Sequence, residues 1–273
     1  MSDSPYHERI LKFREDRNKE MTASPLNWLA LIGLFVIDKG DNSFGNDETN
    51  RIMVPALAHK RSGVLRFEDG RVFLLQAEDR GLRVSGHLPD FRPLRTDRDG
   101  EPDLIETGSL AMRVIKRGQR TFLRVWDKDA PAARNFTGLD YYNIKPEYCI
   151  AARFVWHHPP KVARVLDIIG NAHDGEFVGQ ARFRWHGAAC LLEAQGAGGM
   201  LLFSFTDRTN GDETYPGGRF VKAPRPEGEE LMLDFNLACN WPCAYTSFAT
   251  CPVPPLENRL PVRIEAGERR YPR

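Results

Sequence analysis

Between Asp234 and Arg259 the chain reads Asp-Phe-Asn-Leu-Ala-Cys-Asn-Trp-Pro-Cys-Ala-Tyr-Thr-Ser-Phe-Ala-Thr-Cys-Pro-Val-Pro-Pro-Leu-Glu-Asn-Arg, with prolines at 242, 252, 254 and 255. Proline fixes φ and removes a backbone donor, so this run can be neither a regular helix nor an inner strand. It must be a stiff, irregular loop of 234–259 that holds Asn, Cys, Tyr, Glu and Arg side chains in place. No other stretch concentrates so many chemically useful groups on so rigid a backbone.

The rest of the chain is written in short strands. Leu65 and Phe67 alternate with polar neighbours, Asp69-Gly70 supplies a two-residue turn, and Val72 and Leu74 return, which is the grammar of a β-hairpin. A second hairpin is expected from Leu110–Ile115 and Thr121–Trp126 around Arg117-Gly118. Further strands are expected over 150–156, 162–169, 179–186, 188–194, 200–205, 218–221, 231–235 and 260–264. Ala181, Phe183 and Trp185 alternate with Arg182, Arg184 and His186, the period of a half-buried strand. One helix is expected, over Pro5–Met21, with Ser4 as N-cap and Pro5 as first helical residue. The charged, Pro/Gly-containing stretch Arg92–Asp103 reads as an exposed loop. The pattern predicts an all-β chain in three parts: a helix over 1–25, a β-sandwich over 26–127, and a second antiparallel β-barrel or sandwich over 128–273.

Composition narrows the function classes. Lys plus Arg is 38 against Asp plus Glu at 37, a net charge of +1 over 273 residues. That balance gives no electrostatic footprint for nucleic acid or an anionic membrane surface, so neither is expected as a partner. The first residues contain no apolar h-region, no run approaches a membrane span, and the cysteines are odd in number (149, 190, 239, 243, 251). Reduced thiols and a cytoplasmic location are therefore expected. Cys239, Cys243 and Cys251 lack zinc-ligand spacing, and no phosphate-binding glycine loop or nucleophile elbow occurs. No metal or cofactor is expected.

Two resemblances add to this reading. The segment Gly40-Asp-Asn-Ser-Phe-Gly45 with Asn50-Arg-Ile-Met-Val-Pro55, then Val84-Ser-Gly86 and Glu106-Thr-Gly-Ser-Leu110, is similar over 31–127 to forkhead-associated β-sandwiches. Its phosphate-reading positions do not carry over: Asn46 stands where the arginine is expected, His59 is out of order, and Ser85 replaces the loop asparagine. A scaffold or protein–protein module is implied, and phosphopeptide binding is not expected. The second half resembles domain-of-unknown-function family 1684, through Phe136-Thr-Gly-Leu-Asp-Tyr-Tyr142, Asn210-Gly-Asp-Glu-Thr-Tyr215, Gly218-Arg-Phe220, the 234–259 run and Leu260-Pro-Val-Arg-Ile-Glu-Ala-Gly-Glu268. Trp241 departs from that pattern, and the resemblance implies no activity.

Candidate functional residues come from these segments. Tyr141, Tyr215, Arg219, Asn236, Asn240, Tyr245 and Asn258 are polar or aromatic groups on rigid backbone, the composition of a pocket for a small polar or anionic metabolite. The alternative is a hydrolase with Cys243 or Glu257 as the reactive group and Arg219 stabilising negative charge. Arg219 follows Pro216-Gly-Gly218, so its planar fork is expected to meet a carboxylate, either Glu257, Glu213 or one on a ligand.

Overall fold

The computed structural model describes residues 4–272. It is mainly β, with 44% strand and 13% helix, and divides into two units, residues 21–136 and residues 1–20 with 137–273.

In the unit of residues 21–136, nine strands form two sheets. β1 (Leu31–Val36), β2 (Gly40–Gly45), β3 (Ile52–Met53), β4 (Gly63–Glu68), β5 (Arg71–Ala77), β6 (Arg83–Val84), β7 (Ile105–Thr107), β8 (Leu110–Arg117) and β9 (Arg120–Asp127) follow in order. One sheet runs β1-β9-β8-β7-β6 and the other β3-β2-β4-β5. Phe44, Leu65, Val72 and Leu74 of the second sheet share one core with Ile105, Met112, Val114, Leu123 and Val125 of the first. The β4–β5 hairpin turns on Asp69 at φ 49° and Gly70 at φ 73°, the left-handed pair that a two-residue turn requires. Arg124 of β9 is buried, its guanidinium 5.4 Å from the Trp28 ring and 5.8 Å from the Trp126 ring. The stretch 92–103 is tethered rather than merely exposed. Buried Asp103 accepts bonds from Arg92 Nη1 at 2.6 Å, Ser85 Oγ at 3.0 Å and the Arg95 backbone N–H at 2.8 Å.

The other unit begins with α1 (Pro5–Thr22), whose start is held by the Glu8 N–H to Ser4 carbonyl bond at 3.1 Å. Its strands are β10 (Cys149–Leu166), β11 (Ala172–Trp185), β12 (Ala188–Ala197), β13 (Met200–Phe205), β14 (Arg219–Pro224), β15 (Glu230–Asp234) and β16 (Cys239–Asn240), in the order β15-β10-β11-β12-β13-β14-β16. Phe154, Ala181, Leu192, Phe203, Phe205, Val221, Leu233 and Phe235 fill the core. The runs expected as separate strands at 150–156 and 162–169 are one strand, β10. Its register against β11 slips between Trp156 and Lys161, where His157-His-Pro-Pro160 adds unpaired residues.

None of the sheets closes into a barrel, which corrects the barrel alternative. The reason lies in the chain after β16. Pro242, Pro252, Pro254, Pro255 and Pro261 deny it the donors that a closing strand must supply. The expected strand at 260–264 is absent for the same reason, leaving only an isolated bridge between Thr206 and Arg259. This irregular C-terminal segment carries Cys243, Tyr245, Glu257 and Asn258 of the residues singled out in the sequence. Among the described residues, no helix is long and apolar enough to cross a membrane.

Candidate functional site

Arg219 opens β14 and has no solvent exposure. Gly218 before it sits at φ +87°, and a Cβ there would lie 2.4 Å from the Phe205 carbonyl oxygen, so only glycine delivers the arginine at this depth. Nη2 donates to Asp207 Oδ2 at 2.9 Å and to the Ile264 carbonyl at 2.8 Å, while Nη1 donates to the carbonyls of Ala266 at 2.5 Å and Glu268 at 3.1 Å. The fork therefore binds the C-terminal segment onto β14. Its carboxylate partner is Asp207, neither Glu257 nor Glu213, which corrects the expected pairing. Glu213 and Glu257 are taken by other cations, and Asp207 is the acid buried beside the guanidinium. Arg219 is thus an internal anchor with four hydrogen bonds spent on the protein.

Glu268 forms a second buried centre. Oε1 accepts from Arg17 Nε of α1 at 3.0 Å, and Oε2 accepts from the Asn240 backbone N–H and from Tyr245 Oη, each at 2.7 Å. Burial, reinforced by this carboxylate, pushes the Tyr245 phenol and the Cys239 thiol well above their usual ranges. Burial pulls Arg17 down, but the Glu268 charge and hydrogen bond, together with Cys239 and Tyr245, outweigh it and leave Arg17 above its usual range. Gly267 permits the approach, since a Cβ there would lie 2.6 Å from the Ala238 carbonyl oxygen. Asn240 and Tyr245 are consequently committed to holding Glu268 and α1. Asn240 also donates Nδ2 to the Arg269 carbonyl at 2.8 Å.

The other asparagines work on backbone. Asn258 accepts the Glu193 N–H at 2.7 Å and donates to the carbonyls of Glu193 and Ser204 at 2.9 and 2.7 Å. Its amide thereby substitutes for a peptide group between β12 and β13 where those strands no longer pair. Asn236 spans the Lys145 N–H and carbonyl and reaches Tyr6 Oη at 2.9 Å. Tyr215 receives the Asn210 amide on its carbonyl. Beneath the Asn258 turn, His157 and Lys161 of β10 hold the Glu193 carboxylate at 2.7 and 3.2 Å, and Lys161 also reaches Glu257 at 3.3 Å. Glu257 is held below the usual carboxylate range, by a hydrogen bond within its own backbone and then by Lys161. Cys243 is 1% exposed, its backbone N–H 3.2 Å from Cys251 Sγ.

Of the seven residues expected to line one pocket, Tyr141 borders a polar cleft that the other six do not line. That cleft has a volume of about 570 Å³ and is lined by Asp140, Tyr141, Asp212, Glu213, Arg269 and Arg270. It is assembled from three distant segments. Residues 140–142 run antiparallel to 267–269, with the Tyr142 N–H on the Gly267 carbonyl at 3.0 Å and the Arg269 N–H on the Asp140 carbonyl at 2.8 Å. The Asn210–Thr214 turn is docked by the Arg270 N–H to Glu213 carbonyl bond at 2.9 Å. Glu213 is neutralised locally. Tyr142 Oη donates to it at 3.0 Å, Arg263 pairs with it, and Arg269 stands 3.7 Å away with its guanidinium over the Tyr142 ring. Burial and then Glu213 push the Tyr142 phenol up to about 12.

Asp140, Arg269 and Arg270 escaped the sequence reading, although each adjoins a segment already singled out. Asp140 lies within Phe136–Tyr142, and the two arginines directly follow Ala-Gly-Glu268. Spacing along the chain carries no sign that these ends meet. Among the described residues, no group of three or more His, Cys, Asp and Glu side chains is placed to hold a metal ion.

Residues 134–269 match the family model described as "Protein of unknown function (DUF1684)". An uncharacterized protein of Haloarcula marismortui, solved by solution NMR, is 33% identical over 51% of this chain and 80% of that one, with a TM-score of 0.43. The search of curated proteins returned no match. The family match begins after residues 31–127, so the forkhead-associated resemblance of that stretch is not confirmed. All three segments that build the cleft fall within or directly beside the matched region, and the chain belongs to this family of proteins of unknown function.

Proposed function

We propose that the protein binds a small polar ligand in the cleft of Asp140, Tyr141, Asp212, Glu213, Arg269 and Arg270. The observation that carries this reading is the convergence of three separate family segments on one polar concavity. Its volume of about 570 Å³ lies within the range of small-molecule sites. Asp140, Asp212 and Arg270 are exposed there and make no ion pair among the described residues, so their charges are available to a ligand. Of the remaining expected ligand residues, Arg219, Asn240 and Tyr245 hold residues 264–269, the segment that brings Arg269 and Arg270 to the cleft.

The hydrolase alternative receives less support. Cys243 is buried beyond the reach of a substrate, and Glu257 is tied to Lys161 with its carboxyl held ionised, which suits neither a proton donor nor a strong base. We place the protein in the cytoplasm, in keeping with five cysteines left as thiols.

A thermal-shift screen of polar metabolites, followed by calorimetric titration, tests the reading. At least one compound is expected to bind, and Arg270→Ala together with Asp212→Ala should abolish binding without lowering the melting temperature of the free protein. A bound compound indifferent to both substitutions, or a broad screen with no binder, overturns it.

A further inference from the structure

The charges around the cleft do not cancel evenly, and their arrangement restricts what can bind. Three carboxylates (Asp140, Asp212, Glu213) face two guanidiniums (Arg269, Arg270), an excess of one negative charge. Glu213 and Arg269 are already mutual partners, with Arg263 and Tyr142 completing the coordination of Glu213. Among the described residues, what remains is two carboxylates without a cation, Asp140 and Asp212, and one guanidinium, Arg270. The only side-chain bond of Arg270 among the described residues runs from Nη1 to the Gly211 carbonyl at 3.2 Å. The cleft therefore offers acceptor-only groups and a planar donor fork within one concavity.

Each simpler ligand class meets a penalty here. An inorganic or organic anion would pair with Arg270 but lie beside two uncompensated carboxylates, where like charges repel. A diamine would satisfy Asp140 and Asp212 and oppose Arg270. A neutral polyol would partly desolvate all three charges and return only neutral hydrogen bonds, which are weaker than charge-assisted ones. One ligand chemistry complements both signs together.

We infer, resting on the reading of this cleft as a ligand site, that its ligand is a zwitterion carrying a primary ammonium and a carboxylate, as a free amino acid or short peptide does. The ammonium is taken by Asp140 and Asp212, a compact cation against acceptor-only oxygens. The ligand carboxylate lies on the free edge of Arg270, whose planar donors match it. Tyr141 and the neutralised Glu213–Arg269 pair form the wall between the two ends. A volume of about 570 Å³ leaves room for a side chain or a second residue.

The experiment is a calorimetric titration of the full chain with the standard amino acids and a set of dipeptides. Each is also offered as its N-acetyl form, which removes the cation, and as its C-terminal amide, which removes the anion. Neutral sugars, dicarboxylates and diamines are run alongside. At least one zwitterion should bind, with both of its capped forms weaker by about tenfold or more, the loss of one charge-assisted contact. Arg270→Gln should erase the preference for the zwitterion over its amide, and Asp212→Asn should narrow the preference over the N-acetyl form. Each variant is checked for an unchanged melting temperature. If dicarboxylates or N-acetyl forms bind as tightly as any zwitterion, the zwitterion inference is wrong while the cleft remains a ligand site. The inference fails in the same way if diamines or sugars are the preferred ligands. If no class binds, the ligand-site reading itself fails.

Discussion

Glu268 shows how one side chain can tie together several sequence segments. A carboxylate with no solvent exposure is stable only because Arg17, Tyr245 and the Asn240 N–H surround it. Arg17→Ala is expected to destabilise the chain by about 3–5 kcal/mol, the cost of leaving a buried charge unpaired, read as a lower urea midpoint. Arg219→Ala should cost a similar amount, about 3–5 kcal/mol, because it strands Asp207 and unfastens residues 264–268; an unchanged midpoint would show that the pair is not an anchor. The thiols give a third test at this scale. Cys190, Cys239, Cys243 and Cys251 are buried, and burial raises Cys190 and Cys239. Iodoacetamide at pH 8 should therefore label Cys149 alone in the native protein, and slowly, since burial and Asp234 raise that thiol too. Rapid native labelling of Cys243 would reopen the nucleophile reading. The Pro-Gly-Gly-Arg219 sequence announced a fork delivered at close approach. Its partner was illegible, because Asp207, Glu213 and Glu257 look alike until the pairing of β13 with β14 brings the first beside it.

At the level of elements, local chemistry was readable and closure was not. Asp69-Gly70 fixed the β4–β5 turn because only the two flanking strands are involved. Strand β10 is continuous where two strands are expected, because His157-His-Pro-Pro160 bulges out of the ladder without ending it. Arg92–Asp103 was read as an exposed loop because its charges are dense, yet Asp103 is the buried post that orders it. That role is pH-dependent with a defined sign. Burial alone would raise the Asp103 carboxyl, but bonds from Arg92, Arg95 and Ser85 hold it well below the usual range. A folded value below the unfolded one of about 3.9 stabilises the fold above roughly pH 5 and is lost as pH falls toward the folded value. Urea unfolding should show Asp103→Asn weaker than wild type by about 2–3 kcal/mol at pH 7, with the gap shrinking at pH 3. A gap independent of pH would mean that Asp103 does not act through its charge.

Over the whole chain, the all-β class, the N-terminal helix and the family followed from alternation, capping and long motif runs. The division of labour within the motifs did not. Asn236, Asn240, Tyr245 and Asn258 have the residue types of a binding pocket, but they spend their hydrogen bonds on backbone, on Tyr6 and on Glu268. A chain that cannot close its sheet because of proline needs such ties to hold its irregular segment. The proposed ligand contacts lie elsewhere, in the exposed side chains Asp140, Asp212 and Arg270.

The most direct test of this division is amide chemical-shift mapping on the isotope-labelled protein with the best compound from the calorimetric panel. The account predicts perturbations concentrated at 140–142, 211–214 and 268–271, with Asn236 and Asn258 unmoved. Perturbations centred on Asn236, Asn258 or the His157–Lys161 bulge, with 140–142 and 211–214 silent, would contradict it.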